Sequence, residues 1–119
     1  MERIEFITHR GQRILLADMS DCPAAEVAAL SDRVPDFVTA EPLHSVLLLV
    51  DFSRAEFSRE TVERIKIAAA RDQPHLKRSA YVLTENLPKA LFDSIRTFSR
   101  REIPIFRTRE EALDFLAGQ

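Results

Sequence analysis

Ser45-Val46-Leu47-Leu48-Leu49-Val50-Asp51 decides how this chain folds. Its aliphatic run, residues 46 to 50, has no polar alternation. A strand with one wet face alternates, because successive side chains point to opposite sides of a sheet. This strand therefore needs apolar neighbours on both faces, as in a parallel sheet covered by helices. Asp51 ends the run.

Upstream, Arg3–Thr8 reads as a strand with Ile4 and Phe6 on one face, and Arg13–Met19 as its return. The turn His9-Arg10-Gly11-Gln12 holds a glycine, which takes positive φ without penalty, so the two strands should form an antiparallel hairpin. Ser20-Asp21-Cys22-Pro23 reads as a helix start, a capping side chain followed by a first-turn proline. Val27, Leu30, Val34 and Phe37 then share one helical face. Pro35 is expected to end, kink or split that helix near Val34.

Downstream, Ser58 is placed to cap a helix with Val62, Ile65 and Ala69 inward and Pro74 at its close. Ser79–Thr84 reads as a strand. A helix capped by Asn86 follows, with Leu91, Ile95 and Phe98 inward. Ile103–Arg107 is a short strand whose Pro104 lacks an N–H, which points to a sheet edge. Thr108 and Glu111 form a capping box ahead of Ala112, Phe115 and Leu116. The order β-β-α-β-α-β-α-β-α implies an α/β fold: a mostly parallel five-stranded sheet, an opening antiparallel hairpin and about four helices. With 119 residues, one domain over 1–119 is expected.

Composition narrows the function. Seventeen basic and nineteen acidic residues leave a net charge of −2, so no global field points to nucleic acid or to an acidic membrane. The single cysteine, Cys22, excludes an internal disulfide and suits a reducing, cytoplasmic setting. Its place at a helix start favours a thiolate, yet no base is near in sequence, so it is mildly reactive at best. No stretch has the length of a signal peptide or of a transmembrane segment. His9, His44 and His75 stand at no metal-ligand spacing. Two glycines, Gly11 and Gly118, cannot build a Gly-rich phosphate cradle. No metal, cofactor, catalytic set or enzymatic activity is expected. Arg96, Arg100, Arg101, Arg107 and Arg109 cluster late, but Glu102, Glu110 and Glu111 interrupt them, as on a solvated charged face.

Ligands of open α/β sheets gather beyond the carboxyl ends of the strands. The candidate regulatory or ligand-facing loop there comprises Asp51, Ser53, Ser58, Glu60 and Thr84. Their ordinary roles are as caps and turn formers, with Asp51 accepting backbone N–H bonds in its loop.

The hairpin, Leu47-Leu48-Leu49-Val50-Asp51-Phe52-Ser53 leading into a helix, Ser79–Thr84 and the ending from Glu102 to Leu116 together resemble the STAS family (sulfate transporter and anti-sigma-factor antagonist). The likeness is to its small bacterial, SEC14-like branch. It implies a non-catalytic regulatory or protein-interaction module whose partner is another protein or a second copy. Anti-sigma antagonists of the family carry a phosphorylatable serine in an Asp-Ser-Ser-Gly-like run after the central strand. Here that stretch is Phe57-Ser58-Arg59-Glu60-Thr61-Val62, without the Asp-Ser pair or the glycine. An ungapped count from Asp51 puts Glu60 at the acceptor position, and Ser58 is the nearest serine. The resemblance thus implies the scaffold without the classical phosphoserine switch. A second reading is a carrier for a small apolar or lipid-like ligand, using Phe92, Phe98, Phe106 and Phe115 around a cavity. A third is a degenerate response-regulator receiver, with Asp51 as phosphoacceptor and Thr84 as switch hydroxyl. That family's acidic pair is replaced by Thr8-His9-Arg10, and Arg107 stands where a lysine is expected.

Overall fold

The computed structural model describes residues 2–84, 93–95, 97 and 103–118. In chain order the elements are β1 (Ile4–His9), β2 (Gln12–Asp18), α1 (Ala24–Val38), β3 (Val46–Asp51), α2 (Arg59–Asp72), a 3-10 turn (Gln73–His75), β4 (Leu76–Val82), β5 (Ile105–Phe106) and α3 (Arg109–Leu116). Residues 93–95 are helical as well. The sheet order is β1-β2-β3-β4-β5, with β1 antiparallel to β2 and every other pairing parallel. This is the expected α/β architecture.

All six residues of β3 are buried, so the strand is covered on both sides as its composition requires. Leu48 and Val50 join Leu15 and Ala17 on one face, under Val27, Leu30 and Val34 of α1 and Val62, Ile65 and Ala69 of α2. Leu47 and Leu49 point the other way. They join Ile14, Leu16, Ala80 and Val82 in a second cluster closed by Ala112 and Leu116 of α3. Ile95 is buried in the first cluster, while Asn86, Leu91 and Phe98 lie outside the described residues.

The hairpin register pairs His9 with Gln12, which leaves a two-residue turn. Arg10 and Gly11 both have positive φ, 51° and 79°, as a turn matched to the twist of the flanking strands demands. Ser58 caps α2 by accepting from the Thr61 N–H at 3.1 Å. Thr108 caps α3 by accepting from the Glu111 N–H at 3.2 Å, and the Glu111 carboxylate in turn accepts from the Thr108 hydroxyl. β5 lies at the sheet edge, as Pro104 foretold.

Several boundaries depart from expectation. β3 begins at Val46; Ser45 is exposed, its hydroxyl donating to the Pro42 carbonyl at 2.7 Å. β4 runs from Leu76 to Val82 rather than from Ser79 to Thr84, because Val46 at the start of β3 pairs with Leu76. The exposed Lys77 and Arg78 hide this early start from a hydrophobicity reading. β5 shrinks to Ile105 and Phe106. Ser20 does not cap α1; Pro23 holds the N-cap position without a side-chain bond, and Ser20 turns back to Asp18. Pro35 neither ends nor splits α1, which continues to Val38. Its missing N–H removes one bond near the helix end, while Val34, Pro35 and Val38 are all buried there. Both the N–H and the hydroxyl of Thr39 donate to the Pro35 carbonyl and close the final turn.

The central strand sets a stability expectation. Leu49 is fully buried, so Leu49→Ala should cost about 2–5 kcal/mol in denaturant unfolding. Leu43→Ser, at a 63% exposed position, should stay within about 0.5 kcal/mol of the parent.

Candidate functional site

The parallel pairing of β2 and β3 sets Asp18 directly beside Asp51 at the carboxyl edge of the sheet. Each aspartate opens the same three-residue pattern, Asp18-Met19-Ser20 and Asp51-Phe52-Ser53. The two turns are built alike. Ser20 donates to Asp18 Oδ1 from its N–H (3.0 Å) and its hydroxyl (2.6 Å). Ser53 donates to Asp51 Oδ1 in the same way, at 2.9 and 2.6 Å. The next residues, Asp21 and Arg54, both take positive φ, and Arg54 donates to both carboxylate oxygens of Asp21. The backbone ladder continues across the turns, from the Met19 N–H to the Asp51 carbonyl and from the Asp21 N–H to the Ser53 carbonyl, each 2.9 Å.

Arg109, the first residue of α3, bridges the two turns. Its Nε and Nη2 donate to Asp51 Oδ2 at 3.0 and 2.8 Å, and Nη2 lies 3.2 Å from Asp18 Oδ1. Arg3 approaches from the other side, donating to the carbonyls of Asp18 and Ser20. Burial raises the pKa of Asp18, but the Ser20 hydrogen bonds and the charges of Arg109 and Arg3 outweigh it, leaving the carboxyl below its ordinary value. Burial disfavours the charged form of Arg109. Its bonds and charge contact with Asp51, then Asp18, outweigh that effect and raise its pKa. Neighbouring Cys22 is 1% exposed, and desolvation pushes its thiol up, so the thiolate expected at a helix start is disfavoured instead.

The five candidate residues separate into groups. Asp51 and Ser53 belong to this clamp, and both Asp51 oxygens are engaged by Ser53 and Arg109. Ser58 and Glu60 lie at the start of α2, on a surface groove of about 350 Å³ between α1 and α2. Ser58 contacts the Thr61 hydroxyl at 2.8 Å, and Thr61 donates to the Ala24 carbonyl, tying the two helix starts together. Glu60 accepts from Arg64, which also pairs with Asp32 across the groove. Thr84 is exposed, two residues beyond β4, and lines neither feature.

Arg109 is a correction to the sequence reading, which grouped it with a solvated charged face. Its signal is positional: an arginine at the positive pole of a helix is electrostatically unfavourable unless carboxylates meet it there. The repeated Asp-x-Ser was a second signal. Arg96, Arg100 and Arg101 lie outside the described residues. Among the described residues, no group of three or more His, Cys, Asp or Glu is arranged to hold a metal.

An opening antiparallel hairpin, parallel β-α units and a closing helix on the opposite sheet face define a STAS-like fold. A crystal structure of an uncharacterized protein of the DUF3478 family from Shewanella loihica PV-4, with a SpoIIAA-like fold, aligns with TM-score 0.69. The alignment covers 95% of this chain and 91% of that one, at 14% sequence identity. No protein-family model and no curated protein matches the sequence.

The clamp predicts a mutational and a pH effect. Arg109→Gln leaves Asp51 nearly buried without its cation and should cost about 1–3 kcal/mol in denaturant unfolding. Asp18 has a folded pKa below its ordinary 3.8, so its contribution is present above that value and disappears as pH falls through the lower one. Melting temperatures followed from pH 6 downward should therefore fall less steeply in Asp18→Asn than in the parent.

Proposed function

We propose that this protein is a non-catalytic regulatory or protein-interaction module of STAS-like type, cytoplasmic, and working without a phosphoserine switch. The observation that carries this reading is the state of the carboxyl edge of the sheet. Asp18, Ser20, Asp51, Ser53 and Arg109 engage one another in a closed network. That network holds two strands and a helix together: each serine hydroxyl donates to its aspartate, and both aspartates are in turn tied to Arg109, so these groups are spent on one another.

The groove beside it is the better contact surface. Ala25, Ala28 and Ala29 keep its floor low, while Asp32, Glu60 and Arg64 give it charged walls. Small residues of this kind let a partner's backbone approach closely. Ser58 lies at its end as a helix cap, a role that needs no phosphate.

The carrier reading finds less support. A pocket lined by Met19, Ser31, Phe52, Asp72 and Tyr81, among others, between the sheet and the helix pair, has a volume of about 20 Å³, room for about one water. Phe106 and Phe115 pack against each other with tilted rings, centroids 5.4 Å apart, while Phe92 and Phe98 lie outside the described residues. The receiver reading is weaker still, because Asp51 is nearly buried and already paired with Arg109.

Tagged full-length protein recovered from its own cells tests the proposal. A protein partner in near-equal amount should accompany the parent, Ser58→Ala and Ile105→Ser, and be lost from Ala29→Glu. A stoichiometric small molecule in native mass spectrometry, with no groove-dependent protein, would favour the carrier. Loss of the partner in Ser58→Ala would remove the switch-free part of the reading.

A further inference from the structure

Among the described residues, the two faces of the sheet are covered unequally. One carries α1 and α2, of fifteen and fourteen residues. The cover identified on the other is α3, of eight residues, packed over β3, β4 and β5. Only Ala112 and Leu116 of α3 are fully buried, yet the sheet residues beneath are among the least exposed in the molecule: Ile14, Leu49 and Ala80 are at 0%.

Polar contacts hold α3 along its whole length. At its start Arg109 bridges Asp51 and Asp18. On its flank Asp114 meets His9 Nε2 at 2.8 Å and Arg10 Nε at 3.2 Å, both in the β1–β2 turn region. At its end Arg78 of β4 donates to the Phe115 carbonyl at 3.1 Å and lies over the Phe115 ring. The first of these contacts is the most sheltered, because the Asp51 side chain is 6% exposed, against 33% for Asp114. Sheltered pairs are screened less by solvent and salt than exposed ones.

An isolated helix of eight residues is not stable in water, since nucleation outweighs so few propagation steps. Helix formation and docking of α3 are therefore one event. Losing the docking means losing the helix, and the remaining five-stranded sheet with its two long helices keeps its own apolar cluster.

We propose that α3 is a releasable strap, which opens as one unit ahead of the rest of the domain, with Arg109 on Asp18 and Asp51 as its catch. Opening bares the apolar face made by Ile14, Leu16, Leu47, Leu49, Ala80 and Val82. The device is independent of the groove between α1 and α2, which lies on the other side of the sheet, so it stands or falls separately from the partner reading above.

Two readouts on the full chain test it. The first is native-state hydrogen exchange of the unmodified protein. The amides from Ala112 to Ala117 should share one opening free energy, at least about tenfold in rate above that of β3, with a weaker dependence on denaturant. The second is thiol labelling of A80C, with Cys22 in the opposite core as the internal reporter of whole-domain unfolding. A80C should label at the rate set by the shared α3 opening and clearly faster than Cys22. Arg109→Gln in that background should speed A80C labelling by about tenfold or more, the loss expected when hydrogen bonds to a charged group are removed. V82C serves in its place where A80C does not fold. Fast α3 exchange with A80C as protected as Cys22 means end fraying and overturns the strap. Equal protection of α3 and β3 with a common denaturant slope overturns it too. Unchanged A80C labelling in Arg109→Gln refutes Arg109 as the catch.

Discussion

A strand that is apolar on both faces has to be covered twice, and the rest of this structure follows from that constraint on β3. The first cover is ordinary: two amphipathic helices laid side by side over Leu48 and Val50. The second is a short helix that reaches the opposite face only after every strand has been placed. It brings little apolar surface of its own, and polar contacts at its start, flank and end compensate. Hydrophobic burial chooses where α3 goes; ion pairing and hydrogen bonding hold it in register.

The clamp answers a problem that the sheet creates. In-register parallel pairing puts Asp18 and Asp51 on neighbouring strands, about 4.8 Å apart by strand spacing. One guanidinium serves both carboxylates, Arg109 Nη2 lying 2.8 Å from Asp51 Oδ2 and 3.2 Å from Asp18 Oδ1. An arginine at a helix N-terminus opposes the helix dipole at a cost of about 0.3–1 kcal/mol. Hydrogen bonds to charged groups contribute about 1.5–3 kcal/mol, more than that cost, so Arg109 is held at a pole that would otherwise reject it. The serines complete the arrangement by taking up one oxygen of each carboxylate.

The architecture was legible because it rests on local patterns: the unbroken run at 46–50, the glycine turn at Gly11, the caps at Ser58 and Thr108, and the proline beside β5. The errors lie where tertiary contact outweighs propensity. Pro35 stays helical because its neighbours are buried on the same face. Ser20 abandons the helix for Asp18, since an Asp-x-Ser turn satisfies it two residues earlier. Of the candidate loop, Asp51 and Ser53 were found but their arginine was not. Arg109 is separated from Asp51 by 58 positions, and no periodicity links residues that meet only through the closing of a sheet.

The chain order of α3 has a consequence for synthesis. Arg109 follows Val82, the last residue of β4, by 27 positions, so at ribosomal speed the catch emerges about 1–5 seconds after the main sheet. During that interval Leu47, Leu49, Ala80 and Val82 lack their cover, and Asp51 lacks Arg109, while Arg3 already stands near Asp18. The nascent chain therefore presents an apolar face before its closing helix exists, a surface suited to chaperone capture. Whether this domain is delivered intact is decided by its last helix rather than by its well-packed first half.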